Sequence, residues 1–144
     1  MRKLIMMVGI AGSGKSTRAK QLGGEVFSSD AVRAELFGDE SIQCNHKLVF
    51  DTLHKRIFNH IAKGETPAIY DATNLLSARR HDFIESVKAQ FPDCRCVCFV
   101  MDTPTEECLH RNSLRVRHVP EDVIKRQAKQ LQVPKYDEGW DAIY

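Results

Sequence analysis

Residues 1–17 read MRKLIMMVGIAGSGKST, an apolar run followed by Gly9-Ile10-Ala11-Gly12-Ser13-Gly14-Lys15-Ser16. The run Leu4–Val8 contains no polar residue, which suits a strand buried on both faces of a parallel sheet. The eight residues after it match the phosphate-binding loop pattern G-x-x-x-x-G-K-[S/T] in full, and a helix is expected to follow over Lys15–Leu22. Glycines let such a loop curl until successive N–H groups face an anion. Lys15 can then reach the outer phosphates of a triphosphate, Ser16 can ligate Mg²⁺, and the helix turns its positive end toward the same charge. The expected ATP contacts are Gly12, Ser13, Gly14, Lys15, Ser16 and Thr17, with Ser16 as the metal ligand.

Beyond the loop, strand and helix patterns alternate. Glu25–Ser28 reads as a weaker strand, followed by a short helix that stops at Gly38 and a polar loop over Asp39–Asn45. Val49, Leu53, Ile57 and Ile61 recur one turn apart, so a long helix runs to about Lys63. Pro67–Asp71 is a third strand, Ser77 opens a helix that Pro92 closes, and Arg95–Met101 is the most β-like run. Thr103-Pro104-Thr105-Glu106 predicts a capping box with proline at the first helical position, and a last helix is expected from Pro120 to before Pro134. This alternation predicts an α/β fold: a single phosphate-loop kinase domain with a parallel sheet of about four strands flanked by helices.

The chain has 144 residues, 42% of them hydrophobic, enough for one compact domain over residues 1–144. A net charge of +2 with a pI near 8.3 marks neither a strong polyanion binder nor an acidic tail. Five cysteines with no secretory signal fit a reducing, cytoplasmic setting. No segment reaches membrane-spanning length, and no membrane partner is expected. Oligomeric state has no signal in the sequence.

In an open parallel sheet, ligand chemistry gathers at the carboxyl ends of the strands. Three such ends, Gly9–Ser16, Ser28–Asp30 and Asp71–Asn74, are expected around one crevice, with Asp102-Thr103 at a fourth. Asp30 and Arg33 lie one helical turn apart. Asp30 either caps the helix or serves as the general base on an attacking hydroxyl, with Arg33 holding an anionic group of the acceptor. Asp71 either contacts Mg²⁺ directly or through water, or orients nearby arginines, or else forms an Asx-turn or cap in the connection to Ser77. His110–His118 holds three arginines, two histidines and no acid. It reads as a solvated basic loop or as an arginine-rich mobile lid that brings charge to the transferring phosphate, with the lid favoured. Cys94, Cys96 and Cys98 alternate without metal-ligand spacing, so they are expected to be small buried residues. His46, His54, His60 and His81 receive no role, and Tyr136 and Trp140 are expected to pack the tail onto the domain.

Taken in order, these motifs resemble the kinase domain of 5′-hydroxyl polynucleotide kinases. The matching pieces are Gly9–Thr17, Ser29-Asp30 with Arg33, Asp71-Ala72-Thr73-Asn74 with Arg79-Arg80, and Arg111-Asn112-Ser113 with Arg115 followed by Val119-Pro120. Lys129-Gln130-Leu131, Pro134 and Asp137-Glu138-Gly139-Trp140 extend the resemblance to nearly the whole chain. The resemblance implies transfer of the γ-phosphate of ATP to the 5′-hydroxyl end of DNA or RNA. It implies Asp30 as the general base, Arg33 on the acceptor's phosphate, and Lys15 and Arg115 as the groups that stabilise the phosphate in transit. Arg111 would lie near the nucleotide, and Asp71 would sit behind the site, orienting Arg115. The chain lacks the Asp-x-Asp-Gly-Thr motif of a fused phosphatase, and Ser29 stands where the phage-type enzyme has arginine. Two other readings stay open: the same chemistry on a small-molecule or nucleotide hydroxyl, and a nucleotide-dependent switch without an acceptor.

Overall fold

The computed structural model describes residues 2–40, 44–116 and 118–144. The middle of the expected loop at 39–45 and Arg117 of the expected lid lie outside the described residues. Five strands form one sheet: β1 (Lys3–Val8), β2 (Glu25–Ser28), β3 (Ala68–Asp71), β4 (Arg95–Val100) and β5 (Ala142–Ile143). Their order is β2-β3-β1-β4-β5, and every pairing is parallel. The fifth strand adds to the four expected. It is a two-residue edge element, and Asp141 N–H and Tyr144 N–H bond carbonyls of Cys96 and Cys98 on either side of it. Only pairing with β4 makes so short a piece a strand, so no local pattern announces it.

The helices are α1 (Lys15–Gln21), α2 (Ser29–Phe37), α3 (His46–Lys63), α4 (Ser77–Gln90), α5 (Thr105–Ser113) and α6 (Glu121–Gln130). Alternation along β1 sends Leu4, Met6 and Val8 to one face, against Val49, Leu53, Ile57 and Ile61 of α3 and Phe83, Ile84 and Val87 of α4. Ile5 and Met7 face the other way, against Ala19 of α1. The continuous apolar run is therefore covered on both sides, as a central parallel strand requires. Cys94, Cys96 and Cys98 are buried in the first cluster as expected, and burial pushes the Cys98 thiol up to about 12. A third cluster of Ile10, Cys108 and Ile124 seats α5 and α6 under the loop that follows β1.

Two expectations change at the helix starts. Thr103 does not cap α5; its hydroxyl donates to the Ser13 carbonyl at 2.9 Å, and Pro104 is the residue before the helix. Pro120 likewise precedes α6 rather than beginning it. In the tail Trp140 is buried as expected, whereas Tyr136 is exposed. Trp140 Nε1 donates to Glu138 at 3.0 Å, and Glu138 rather than an aromatic face anchors the segment.

Glu138 pairs with Arg80 inside the domain. Arg80 Nε and Nη2 reach the two carboxylate oxygens at 2.8 and 2.9 Å. Its remaining donors hold the Asn74 and Gln132 carbonyls, both at 2.7 Å. Burial alone would raise the Glu138 carboxyl, but hydrogen bonds from Arg80, Trp140 and Ser77 and the Arg80 charge outweigh it and hold the group down to about 2. This clasp ties α4, the end of α6 and the tail together. No helix among the described residues is long and apolar enough to cross a membrane.

Candidate active site

The order β2-β3-β1 brings the ends of these three strands side by side, as expected for one crevice. The loop after β1 takes its shape from Gly12 and Gly14, at φ 81° and 91°. A Cβ on Gly12 would meet the Cys108 carbonyl at 2.5 Å, and one on Gly14 would meet Arg111 Nη1 at 3.1 Å. Glycine is needed at Gly12 both for its conformation and for the close approach of α5.

The loop amides divide into two sets. Gly9 N–H donates to the Thr73 carbonyl, Ala11 N–H to Gln127 Oε1 and Ser13 N–H to the Ile10 carbonyl. Among the described residues, the N–H groups of Gly12 and Gly14–Thr17 around the helix start have no protein acceptor, and neither does that of Ile10 nearer β1. Five open donors at a helix start form an anion cradle. The Ser13 hydroxyl, in contrast, is buried against Gly9 with no partner among the described residues.

Lys15 Nζ donates to the Ile10 carbonyl at 3.0 Å. Burial lowers its proton affinity below the usual lysine value; the charges of Asp71 and Asp30 pull it back up, and Arg115 lowers it further. Lys15 thus stands in the field of three of the other candidate residues. The Ser16 hydroxyl donates to Asp71 Oδ2 at 2.7 Å. Asp71 is held there by the segment after β3: Asn74, at φ 49°, donates to the Met7 carbonyl at 2.8 Å and so locks this turn to the end of β1. A hard divalent cation such as Mg²⁺ fits the paired hydroxyl and carboxylate oxygens of Ser16 and Asp71. No cluster of three acidic, histidine or cysteine side chains stands ready for a metal among the described residues, so phosphate and water would supply the other ligands.

Asp30 lies in the first turn of α2, where its capping role is already taken. Ser28 is the cap, and its hydroxyl accepts from Ala31 N–H at 3.3 Å. Asp30 instead pairs with Arg33 at 3.0 Å, with 57% of its side chain exposed. Arg33 is buried over the Phe50 ring, and its Nε has no partner among the described residues.

The basic segment is part helix and part loop. Residues His110–Ser113 complete α5, so only the part of the basic segment from Leu114 on follows the helix. Asn112 is buried and bonds both main-chain groups of Val119, at 2.6 and 2.9 Å, which pins the far end of that stretch. Arg111 folds onto the phosphate loop, 3.4 Å from the Ser13 carbonyl, and also pairs with Glu107 at 3.1 Å. Arg115 reaches Glu40 at 3.9 Å rather than Asp71, so the expected orientation of Arg115 by Asp71 is not the arrangement here. Arg80 is structural, and Arg79 is exposed. Gln127 was missed in the sequence, and Asn112 and Thr103 were read without their partners, because each acts on a group that only folding brings near.

Residues 4–134 match a family model described as an AAA domain, and the chain belongs to that family. A search of curated proteins gives no match. One similar solved chain, from the Pnkp1/Rnl/Hen1 complex, aligns with a TM-score of 0.61 and 26% identity over 82% of this chain and 40% of that one. This protein therefore spans about two-fifths of that chain's length. A sugar kinase from Janibacter sp. HTCC2649 aligns at TM-score 0.64 with 20% identity, covering 99% of this chain and 84% of its own. The Mycobacterium tuberculosis APS kinase CysC, solved with AMPPNP and APS, aligns at 0.59 with 20% identity, covering 99% and 87%. These last two share the fold. The chain is a kinase-like phosphate-loop domain.

Proposed function

We propose that this AAA-domain protein is an ATP-dependent phosphotransferase acting on the 5′-hydroxyl end of DNA or RNA, built as a single domain over residues 1–144. The observation that carries the reading is the half-exposed Asp30 carboxylate, paired with the buried Arg33 and in the field of Lys15, at a strand end next to a loop with five open amides around its helix start. The open amides of Gly12 and Gly14–Thr17 bind the polyphosphate, and Lys15 exchanges its carbonyl partner for phosphate oxygen. Ser16, with Asp71 behind it, would hold Mg²⁺, which would supply positive charge against the phosphates. Asp30 orients the acceptor hydroxyl and takes its proton as the oxygen attacks the γ-phosphorus and ADP leaves. Arg33 holds the acceptor's neighbouring phosphate. Arg115 leaves Glu40 to meet the charge in transit, and Arg111 stays against the loop near the nucleotide.

The order of motifs along the chain and the 26% identity to a Pnkp1 chain support a nucleic-acid acceptor. A second reading has a specific support of its own: the sugar kinase and APS kinase align over nearly the whole of this chain, so a small-molecule hydroxyl fits the same machinery. Transfer of label from γ-labelled ATP decides between them, with a 5′-hydroxyl oligonucleotide run against nucleosides and sugars. We expect labelled oligonucleotide from the wild type, and a loss of roughly 10²–10⁴-fold in Asp30→Ala with nucleotide binding kept. No transfer to the oligonucleotide alongside transfer to a sugar or nucleoside moves the protein to the second reading.

A further inference from the structure

We infer that Gln127 is a positioning residue of the phosphate loop, through which α6 sets the geometry of the anion cradle. The inference rests on the reading of that loop as a polyphosphate site. Ala11 N–H donates to Gln127 Oε1 at 2.9 Å, across 116 residues of sequence. Of the three loop amides tied to protein, two bond main-chain carbonyls; Ala11 alone relies on a side chain. That side chain acts at the point of greatest freedom, because Ala11 precedes Gly12 and Gly14, both in left-handed conformations that cost glycine nothing to leave.

The tie has two consequences. It removes Ala11 from the set of anion donors, which leaves Gly12 as the next open amide before the helix. It also fixes the peptide plane on which the Gly12 turn is built, and thereby aims the donors of residues 12 and 14–17. Gln127 is itself well held: it projects from α6 beside Ile124, which is fully buried with Ile10 and Cys108 beneath the loop. The lid stretch that starts after α5 returns through Val119, clasped by Asn112, directly into α6. The loop and the anchored end of the lid therefore share one rigid helix.

The test measures affinity for inorganic pyrophosphate and for ADP by calorimetry on folded protein, together with Tm. In Gln127→Leu, which keeps the bulk and removes the acceptor, both ligands are expected to bind about tenfold more weakly, the size of one lost hydrogen bond. Gln127→Glu keeps an acceptor oxygen and is expected to retain most of the pyrophosphate affinity at high ionic strength, where its added charge is screened. A fall in Tm with affinities within twofold of wild type would make Gln127 a support for the fold alone and overturn the inference. Loss of ADP affinity with pyrophosphate affinity unchanged also overturns it, placing Gln127 at the base instead. Failure of the wild type to bind either ligand overturns the polyphosphate reading itself, a result distinct from both.

Discussion

Two arginine–carboxylate pairs in this protein share their chemistry and differ in their surroundings. Arg80–Glu138 lies in the interior, with side chains 1% and 2% exposed and all three guanidinium nitrogens engaged. Arg33–Asp30 lies at the crevice, with one contact at 3.0 Å, a 57% exposed carboxylate and an Arg33 Nε lacking any partner among the described residues. The saturated pair has no capacity left for a ligand. It orders chain segments 58 residues apart, and that is a structural task. The open pair retains donors and acceptors that a substrate can use. Spare hydrogen-bonding capacity, more than charge or residue type, separates a site from a brace.

The largest effect that tests this contrast is on stability. Arg80→Met leaves Glu138 buried and unpaired and is expected to cost about 3–5 kcal/mol in denaturant unfolding. Arg33→Met leaves Asp30 to water and is expected to cost about 1 kcal/mol, while transfer activity collapses. Equal losses from the two would erase the distinction between them.

Acid titration gives the next effect. Glu138 is held near 2 against an ordinary value of 4.5, so its depressed pKa contributes stability that is complete above about 4.5. As pH falls from there toward 2, the unfolded chain takes up the proton first, and up to about 3 kcal/mol is lost. Unfolding free energies measured across this window in wild type and Glu138→Gln should converge as pH falls. A wild type whose stability does not change over this window would show that the interior pair is not held as described.

The smallest effect concerns the site itself. Burial disfavours the Lys15 ammonium, whose one acceptor among the described residues is the Ile10 carbonyl. Lys15→Met is therefore expected to raise the Tm of the nucleotide-free protein by about 2–4 °C, the equivalent of about 1 kcal/mol, while abolishing transfer. A drop in Tm would mean that Lys15, like Arg80, is a structural cation.

Much of the fold was readable because it follows from local rules. The apolar run before Gly9, the period of Val49–Ile61 and the stops at Gly38 and Gly64 all became elements close to their expected bounds. The candidate site was readable at strand ends, where position alone marks Asp30 and Asp71. The basic segment His110–His118 was legible only as a patch of charge. Its division into the last turn of α5 and a loop pinned by Asn112 depends on a contact with Val119 seven residues on.

By itself the sequence determined an alternating strand–helix chain with a phosphate loop after its first strand, since glycine conformations, apolar periodicity and helix ends are properties of near neighbours. The tertiary structure decided which polar groups are spent and which are left open. Thr103 serves Ser13 instead of its own helix, Gln127 takes the Ala11 amide, and Arg80 is consumed by Glu138, while the amides of Gly12 and Gly14–Thr17 stay free. Each of the three bonds joins residues more than fifty positions apart, and hydrogen-bond satisfaction across such distances is settled only when the sheet and its helices pack.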